Sequence, residues 1–159
     1  MDKLLALIDE NCRLTTEQMA AILEMDETEL AAKIKDYEKN KTIVGYKALI
    51  DWDKTDREYA TALIELKVTP SKGRGFDKVA ESIYNFDEVQ SLYLMSGGFD
   101  LCVVLEGRSL REVALFVAER LAPMEAVVST ATHFVLKKYK DKGIIYDRDD
   151  RDERGYIGL

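Results

Sequence analysis

The chain has 159 residues, 47% of them hydrophobic and 33% charged, with only 2 Pro and 9 Gly. That composition can bury the core of one compact domain or two small ones, and it excludes a disordered or collagen-like chain. The formal charge is −7, from 23 Lys+Arg against 30 Asp+Glu, which excludes bulk electrostatic attraction to nucleic acid and leaves only local basic patches for that purpose.

The first segment, residues 1–50, reads as three helices and an extended stretch. Leu4, Leu5 and Ile8 make a short apolar stripe, interrupted from Asn11 to Leu14. Thr15 followed by Gln18 is a capping-box pattern, in which the hydroxyl accepts an orphan N–H and the amide reaches back to the cap. Met19, Ala20, Ile22 and Leu23 then line one face of a second helix. Asp26 with Glu29 repeats the box, and Leu30, Ile34 and Tyr37 carry a third helix to about Asn40. Ile43 to Ile50 is β-prone. Short helices joined by a tight turn form a helix-turn-helix pattern.

Residues 51–57 (DWDKTDR) have no apolar period and read as a linker, with Trp52 as an anchor between the two domains. From Tyr59 to Thr69 the residues alternate, with Ala60, Ala62, Ile64, Leu66 and Val68 on one face and Thr61, Leu63, Glu65 and Lys67 on the other. That is a strand with one strongly apolar face. Pro70 and the Gly73–Gly75 turn end it. Phe76, Val79, Ala80 and Ile83 mark a helix; Val89 to Met95 and Leu101 to Leu105 are strands flanking the Ser96-Gly97-Gly98 turn. Val113, Phe116, Val117, Arg120 and Leu121 mark a second helix, ended by Pro123, and Val127 to Lys138 is a last strand. The order β-α-β-β-α-β over residues 58–138 is the split, ferredoxin-like arrangement, an antiparallel sheet with both helices on one face. Apolar residues on both strand faces point to a homodimer formed through the sheet. Residues 139–159 form a charged tail. Its run from Asp147 to Arg154 reads as solvated, and Ile144, Ile145 and Tyr146 are candidates for an edge strand on a neighbouring subunit.

Cys12 and Cys102 are the two cysteines and His133 the single histidine. They provide no disulfide framework, zinc knuckle or two-imidazole site, so no catalytic set, metal or cofactor is expected. Cysteine usage suggests a reducing, cytoplasmic home, and the short apolar runs of the N-terminus suggest no signal peptide or membrane span.

A helix-turn-helix followed by Ile43-Val44-Gly45-Tyr46, a linker, a β-α-β-β-α-β domain with Ser96-Gly97-Gly98-Phe99-Asp100-Leu101, and the strand from Val128 to Lys138 together resemble the leucine-responsive and asparagine-responsive (Lrp/AsnC) transcriptional regulators over about residues 3–140. The resemblance implies an α+β fold, with a three-helix winged helix-turn-helix domain and a ferredoxin-like domain. It also implies binding of double-stranded promoter DNA by the first domain, amino-acid or related metabolite effectors at interfaces of the second, and dimers that assemble into octamers. On this basis Thr28, Lys33 and Lys35 of the recognition helix face DNA, with Lys39, Lys41 and Lys47 on its flanks. Ser96, Gly97, Gly98, Asp100, Thr130 and Thr132 are the effector candidates. A two-glycine turn lets backbone N–H groups approach a carboxylate, and an acidic Asp100 suits an amino group; an α-amino acid carries both charges. The bland reading of the same residues is a β-turn capped by Asp100.

The sequence departs from the family at several points. Ala32 and Asp36 stand where basic residues are common in its recognition helices, and Glu24 and Lys41 where glycines are common. Residues 1–50 hold 7 basic and 10 acidic side chains, a net of −3. Two other readings therefore stand beside the regulator: a DNA-free metabolite-binding or assembly module, and an enzyme resembling the siroheme decarboxylases. The latter chemistry calls for a cluster of cations around a polycarboxylate, and the second domain offers His133 and scattered Arg.

Overall fold

The computed structural model describes residues 2–70 and 72–146. Its internal contacts divide the chain into two units, Met1–Ile50 and Asp51–Leu159.

In the first unit, α1 spans Lys3–Glu10, α2 Thr16–Leu23 and α3 Glu27–Lys39. Each begins at a side-chain cap that satisfies N–H groups the helix cannot pair internally. Asp2 accepts from Leu4 and Leu5, and Thr15 with Gln18 closes a complete capping box. Asp26 accepts from Glu29 N–H at 3.0 Å, but the reciprocal half of the expected second box is absent, because the Glu29 carboxylate lies 3.4 Å from the Lys33 ammonium. Leu4, Ile8, Met19, Ala20 and Leu30 are buried together, with Ile34, Tyr37 and Ile43 packed against them. Ile22, expected on that inner face, is 56% exposed, since the side of α2 that carries Met19, Ala20 and Leu23 turns inward and Ile22 falls about 100° away from it. The β-prone stretch 44–50 is exposed and has no assigned secondary structure; a strand needs a neighbour to hydrogen-bond, and the described residues pair none with it.

The second unit opens with a 3₁₀ turn, Trp52–Lys54, so the expected linker has local structure. The Arg57 guanidinium lies 4.3 Å above the Trp52 ring, within this unit. β1 (Ala60–Val68), α4 (Asp77–Tyr84), β2 (Val89–Leu94), β3 (Leu101–Gly107), α5 (Leu110–Phe116) and β4 (Val127–Phe134) follow. All strand pairs are antiparallel, in the order β2-β3-β1-β4. Alternation along β1 and β3 sends Ala62, Ile64, Leu66, Leu101, Val103 and Leu105 into a core with Val79, Ile83, Val113 and Phe116 of the two helices. After Phe116 the helix continues as a π turn, Val117–Leu121, that still buries Val117 and Leu121. Among the described residues of this unit, no helix packs on the opposite sheet face.

β4 ends at Phe134 rather than running to Lys138. The chain then folds back on itself as a small hairpin, β5 (Lys140–Asp141) with β6 (Ile144–Ile145). Its turn residues Lys142 and Gly143 both have positive φ, 46° and 84°, as the tight two-residue hairpin turn demands. The expected edge strand therefore pairs within its own chain, and the charged run Asp147 to Arg154 lies outside the described residues. Among the described residues no helix is long and apolar enough to cross a membrane.

Candidate functional site

The turn between α2 and α3 sets the attitude of α3. Glu24 ends α2 in the left-handed region at φ 54°, its N–H bonded to Ala20 C=O. Lys41 does the same after α3 at φ 62°, which lets Ile43 N–H reach Tyr37 C=O at 3.0 Å. These are the two positions where the sequence replaces glycine, and the backbone still takes the glycine conformation at a steric cost. A further tie fixes α3 to α1: the Tyr37 hydroxyl donates to Asp2 at 2.7 Å. That bond and the Leu5 N–H hold the Asp2 carboxyl below its ordinary pKa, and the same carboxylate raises Tyr37. No spacing rule connects residues 35 positions apart, so sequence reasoning missed this pair.

Thr28, Lys33, Lys35, Lys39, Lys41 and Lys47 are all exposed. They do not share one surface. With Leu30, Ile34 and Tyr37 inward, 3.6 residues per turn puts Thr28, Ala32, Lys35 and Lys39 in line on the outer side of α3. Lys33 falls instead beside the inner stripe. It pairs with Glu29 and borders a small cleft formed with Asp2, Lys3, Leu4, Leu23 and Met25. The structure thus removes Lys33 from the outer surface on which Thr28 and Lys35 stand.

In the second unit, Ser96, Gly97 and Gly98 are exposed at the β2–β3 turn. Only Gly97 has positive φ, 125°, so Gly98 does not need to be glycine on conformational grounds. Asp100 is half-buried and committed. Its backbone N–H bonds to Leu66 C=O at 2.9 Å, and its carboxylate accepts Val68 N–H at 2.8 Å. The reason lies in the register: the β1–β3 ladder ends at Leu66↔Leu101, and β1 shifts against β4 between Lys67 and Val68. Val68 N–H is left without a strand partner on that side, and Asp100 supplies one.

Thr130 and Thr132 stand opposite Leu66 and Ile64, on the helix-covered side of the edge strand β4. Asp100 bonds Leu66 from one side while Thr130 faces it from the other, a separation of two strand spacings, about 10 Å. One protomer therefore does not gather the six effector candidates around one small ligand. A cleft of about 320 Å³ lies elsewhere, between α4 and the edge strand β2, lined by Phe76, Tyr84, Ser91, Leu92 and Leu94 among others. His133 is on the open sheet face, 3.3 Å from Glu65. Cys102 is buried, and burial raises its thiol pKa, so it stays a thiol.

A second unforeseen cluster closes the open end of β1. The Tyr59 hydroxyl donates to Glu106 at 2.6 Å and accepts from Lys138 at 2.7 Å. Burial first, then Glu106, raises the pKa of Tyr59. Lys138 is also raised: burial opposes its charge, but Tyr59 and Glu106 outweigh burial.

Comparison with known proteins bears on both units. Residues 61–145 match the Lrp/AsnC ligand binding domain. The chain is 48% identical over 153 residues to the uncharacterized HTH-type transcriptional regulator YugG of Bacillus subtilis, covering 96% of this chain and 92% of that protein. It is 23% identical over 145 residues to the leucine-responsive regulatory protein of Haemophilus influenzae, covering 90% and 86%. The fold superposes on a Neisseria meningitidis transcriptional regulator, NMB0573, solved as an L-Met complex, with TM-score 0.71 at 22% identity over 89% of this chain and 93% of that one. With its helix-turn-helix unit, its ferredoxin-like sheet and these relatives, the chain belongs to the Lrp/AsnC family of DNA-binding, metabolite-sensing transcriptional regulators.

Proposed function

We propose that α3 docks in the major groove of promoter DNA, and that the sheet unit binds an amino acid or a closely related metabolite where copies of the chain meet. The observation that carries the first half is the outer stripe of α3, where Thr28, Lys35 and Lys39 align with no carboxylate between them. The second helix of such a motif lies in the groove, with lysines on phosphates and a hydroxyl free for phosphate or base. Lys41 and Lys47 extend the basic flank. The second half is supported by the Neisseria relative's L-methionine complex and by the glycine turn.

Ser96, Gly97, Gly98, Thr130 and Thr132 are the proposed effector contacts. Their separation within one protomer favours a site completed by a second copy. The bare sheet face, with Leu63, Val104, Ala131 and Tyr93, is the proposed dimer surface, and an octamer is the larger assembly the family resemblance implies. Such a regulator works in the cytoplasm, where its DNA is, and needs no catalytic group.

The acidic balance of the first unit, 10 acidic against 7 basic side chains, favours the DNA-free assembly module as the second reading. Fluorescence anisotropy on the protein's own upstream DNA, with and without a panel of amino acids, separates the two. Two heads each offering Lys35 and Lys39 predict a log–log salt slope of about −4, rising to about −7 if Lys41 and Lys47 also meet phosphates, shallow for a regulator. Multivalent assembly restores affinity through effective concentration, so light scattering on the same samples should show an amino-acid-dependent change in mass. No binding at low salt, together with an amino-acid-dependent mass, would establish the module instead.

A further inference from the structure

The proposed DNA contact has a chemical character that can be read from α3. At 3.6 residues per turn, Thr28, Ala31, Ala32 and Lys35 form one continuous face, with Glu27 at its rim beside Ala31, each of them exposed. Glu27 and Thr28 belong to the first turn, the part of a recognition helix that meets base edges. Glu29 and Asp36 fall on the other flank, and Glu38 accepts a hydrogen bond from Tyr46 at 3.1 Å.

The face lacks certain groups. Residues 27–39 contain no Arg, Asn or Gln. The planar fork of arginine, which reads guanine, and the amides that read adenine are therefore missing from this helix; its lysines could reach guanine only as point charges, and Lys35 and Lys39 stand beyond the first turn, where phosphates are met. It offers two methyl side chains, a Thr that has both a methyl and a hydroxyl, one carboxylate, and a lysine. In the major groove, methyl groups match the thymine 5-methyl, and a carboxylate accepts from the cytosine N4 amino group. A carboxylate opposite guanine or thymine would meet only acceptors and be left unpaired, so it excludes those bases; adenine offers an amino group too, but with the N7 acceptor beside it repelling the carboxylate, so cytosine is favoured.

We propose that α3 reads pyrimidines: thymine methyls through Ala31, Ala32 and the Thr28 methyl, and a cytosine amino group through Glu27, with Lys35 and Lys39 holding phosphates. On this assignment the acidic residue that weakens non-specific attraction is a specificity element. The inference rests on the DNA-binding reading given above.

The experiment uses the full chain and a pool of random-sequence duplexes at low salt. The recovered half-site is then remade with deoxyuridine in place of thymine, which removes the 5-methyl group and no Watson–Crick hydrogen bond. Affinity should fall by about fourfold for each contacted methyl, the worth of one buried methyl-sized group. Selection with Glu27→Gln should move one position of the half-site from cytosine to adenine, because an amide pairs adenine in bidentate fashion. Glu27 lies on the surface, and the substitution is isosteric, so the fold is retained. Binding that is indifferent to deoxyuridine overturns the thymine assignment, and an unchanged base at every position with Glu27→Gln overturns the cytosine assignment. Failure to recover any duplex from the pool overturns the DNA-binding reading and this inference with it.

Discussion

Among the described residues the first unit buries five apolar side chains together, Leu4, Ile8, Met19, Ala20 and Leu30, whereas the second buries fourteen between its sheet and two helices. The helical head makes up for its small core with polar ties at its surface: three helix caps, the Asp2–Tyr37 bond, and two left-handed turns held by non-glycine residues. The sheet unit uses polar groups differently. Asp100 and the Tyr59–Glu106–Lys138 cluster serve strand ends that the ladder leaves open. Burial alone sustains a sheet that is covered on one face. A three-helix head of this size depends on its helix ends, and those ends also set the attitude of α3.

The sharpest way to break this comparison is a matched pair of core truncations. Leu30→Ala and Leu66→Ala each remove a fully buried leucine, at a cost of about 2–5 kcal/mol. By calorimetry and far-UV circular dichroism, the head should lose its transition with Leu30→Ala, while the sheet unit keeps a lowered one with Leu66→Ala. Equal tolerance in both units would contradict the difference in core size.

Asp100 comes next. Asp100→Ala strands the Val68 N–H and should cost about 1–3 kcal/mol in the sheet unit alone. Asp100→Asn keeps an acceptor and should recover most of that stability. If Asp100→Asn restores the fold yet abolishes the response to amino acids, the carboxylate has an effector role beyond its structural one. If both variants respond normally, Asp100 is a strand-end cap only.

A smaller effect, of opposite sign, is expected at the glycine-like turns. Glu24→Gly and Lys41→Gly should each raise the stability of the head by about 1 kcal/mol, the left-handed strain being partly offset by glycine's entropy. A loss of stability at either position would show that its side chain does more than tolerate the turn.

The smallest expected effects are in pH. Asp2 is lowered in the folded head, so its contribution is present above the ordinary carboxylate value of about 4 and is lost as pH falls through the folded value. Tyr37, Tyr59 and Lys138 are raised, so theirs are complete below about 10 and fade as pH rises through their folded values. Melting curves of Tyr37→Phe should show a head with weaker dependence at both extremes. Tyr59→Phe should alter only the alkaline limb of the sheet unit.

The element order, the helix faces and the alternation of β1 were legible in the sequence because helices and half-buried strands impose periods of 3.6 and 2 on apolar residues. Thr15 with Gln18 was legible for the same local reason. The errors came where local pattern meets a missing or competing partner. Residues 44–50 have strand composition but no strand among the described residues to pair with, and Ile22 points away from the side of α2 that packs inward. Lys33 lies near Thr28 and Lys35 in sequence, yet the helix rotates it away from them and toward Glu29.

By itself, the sequence determined the two-unit α+β architecture, the family, and the chemical menu of α3, because composition and short-range periodicity are properties of the chain alone. Tertiary structure decided which of those side chains share a surface and which are already engaged. Asp100 to Val68, Asp2 to Tyr37 and Tyr59 to Glu106 join residues 32, 35 and 47 positions apart. Such bonds follow from the register of a sheet and the crossing of helices, which are settled only when the core packs.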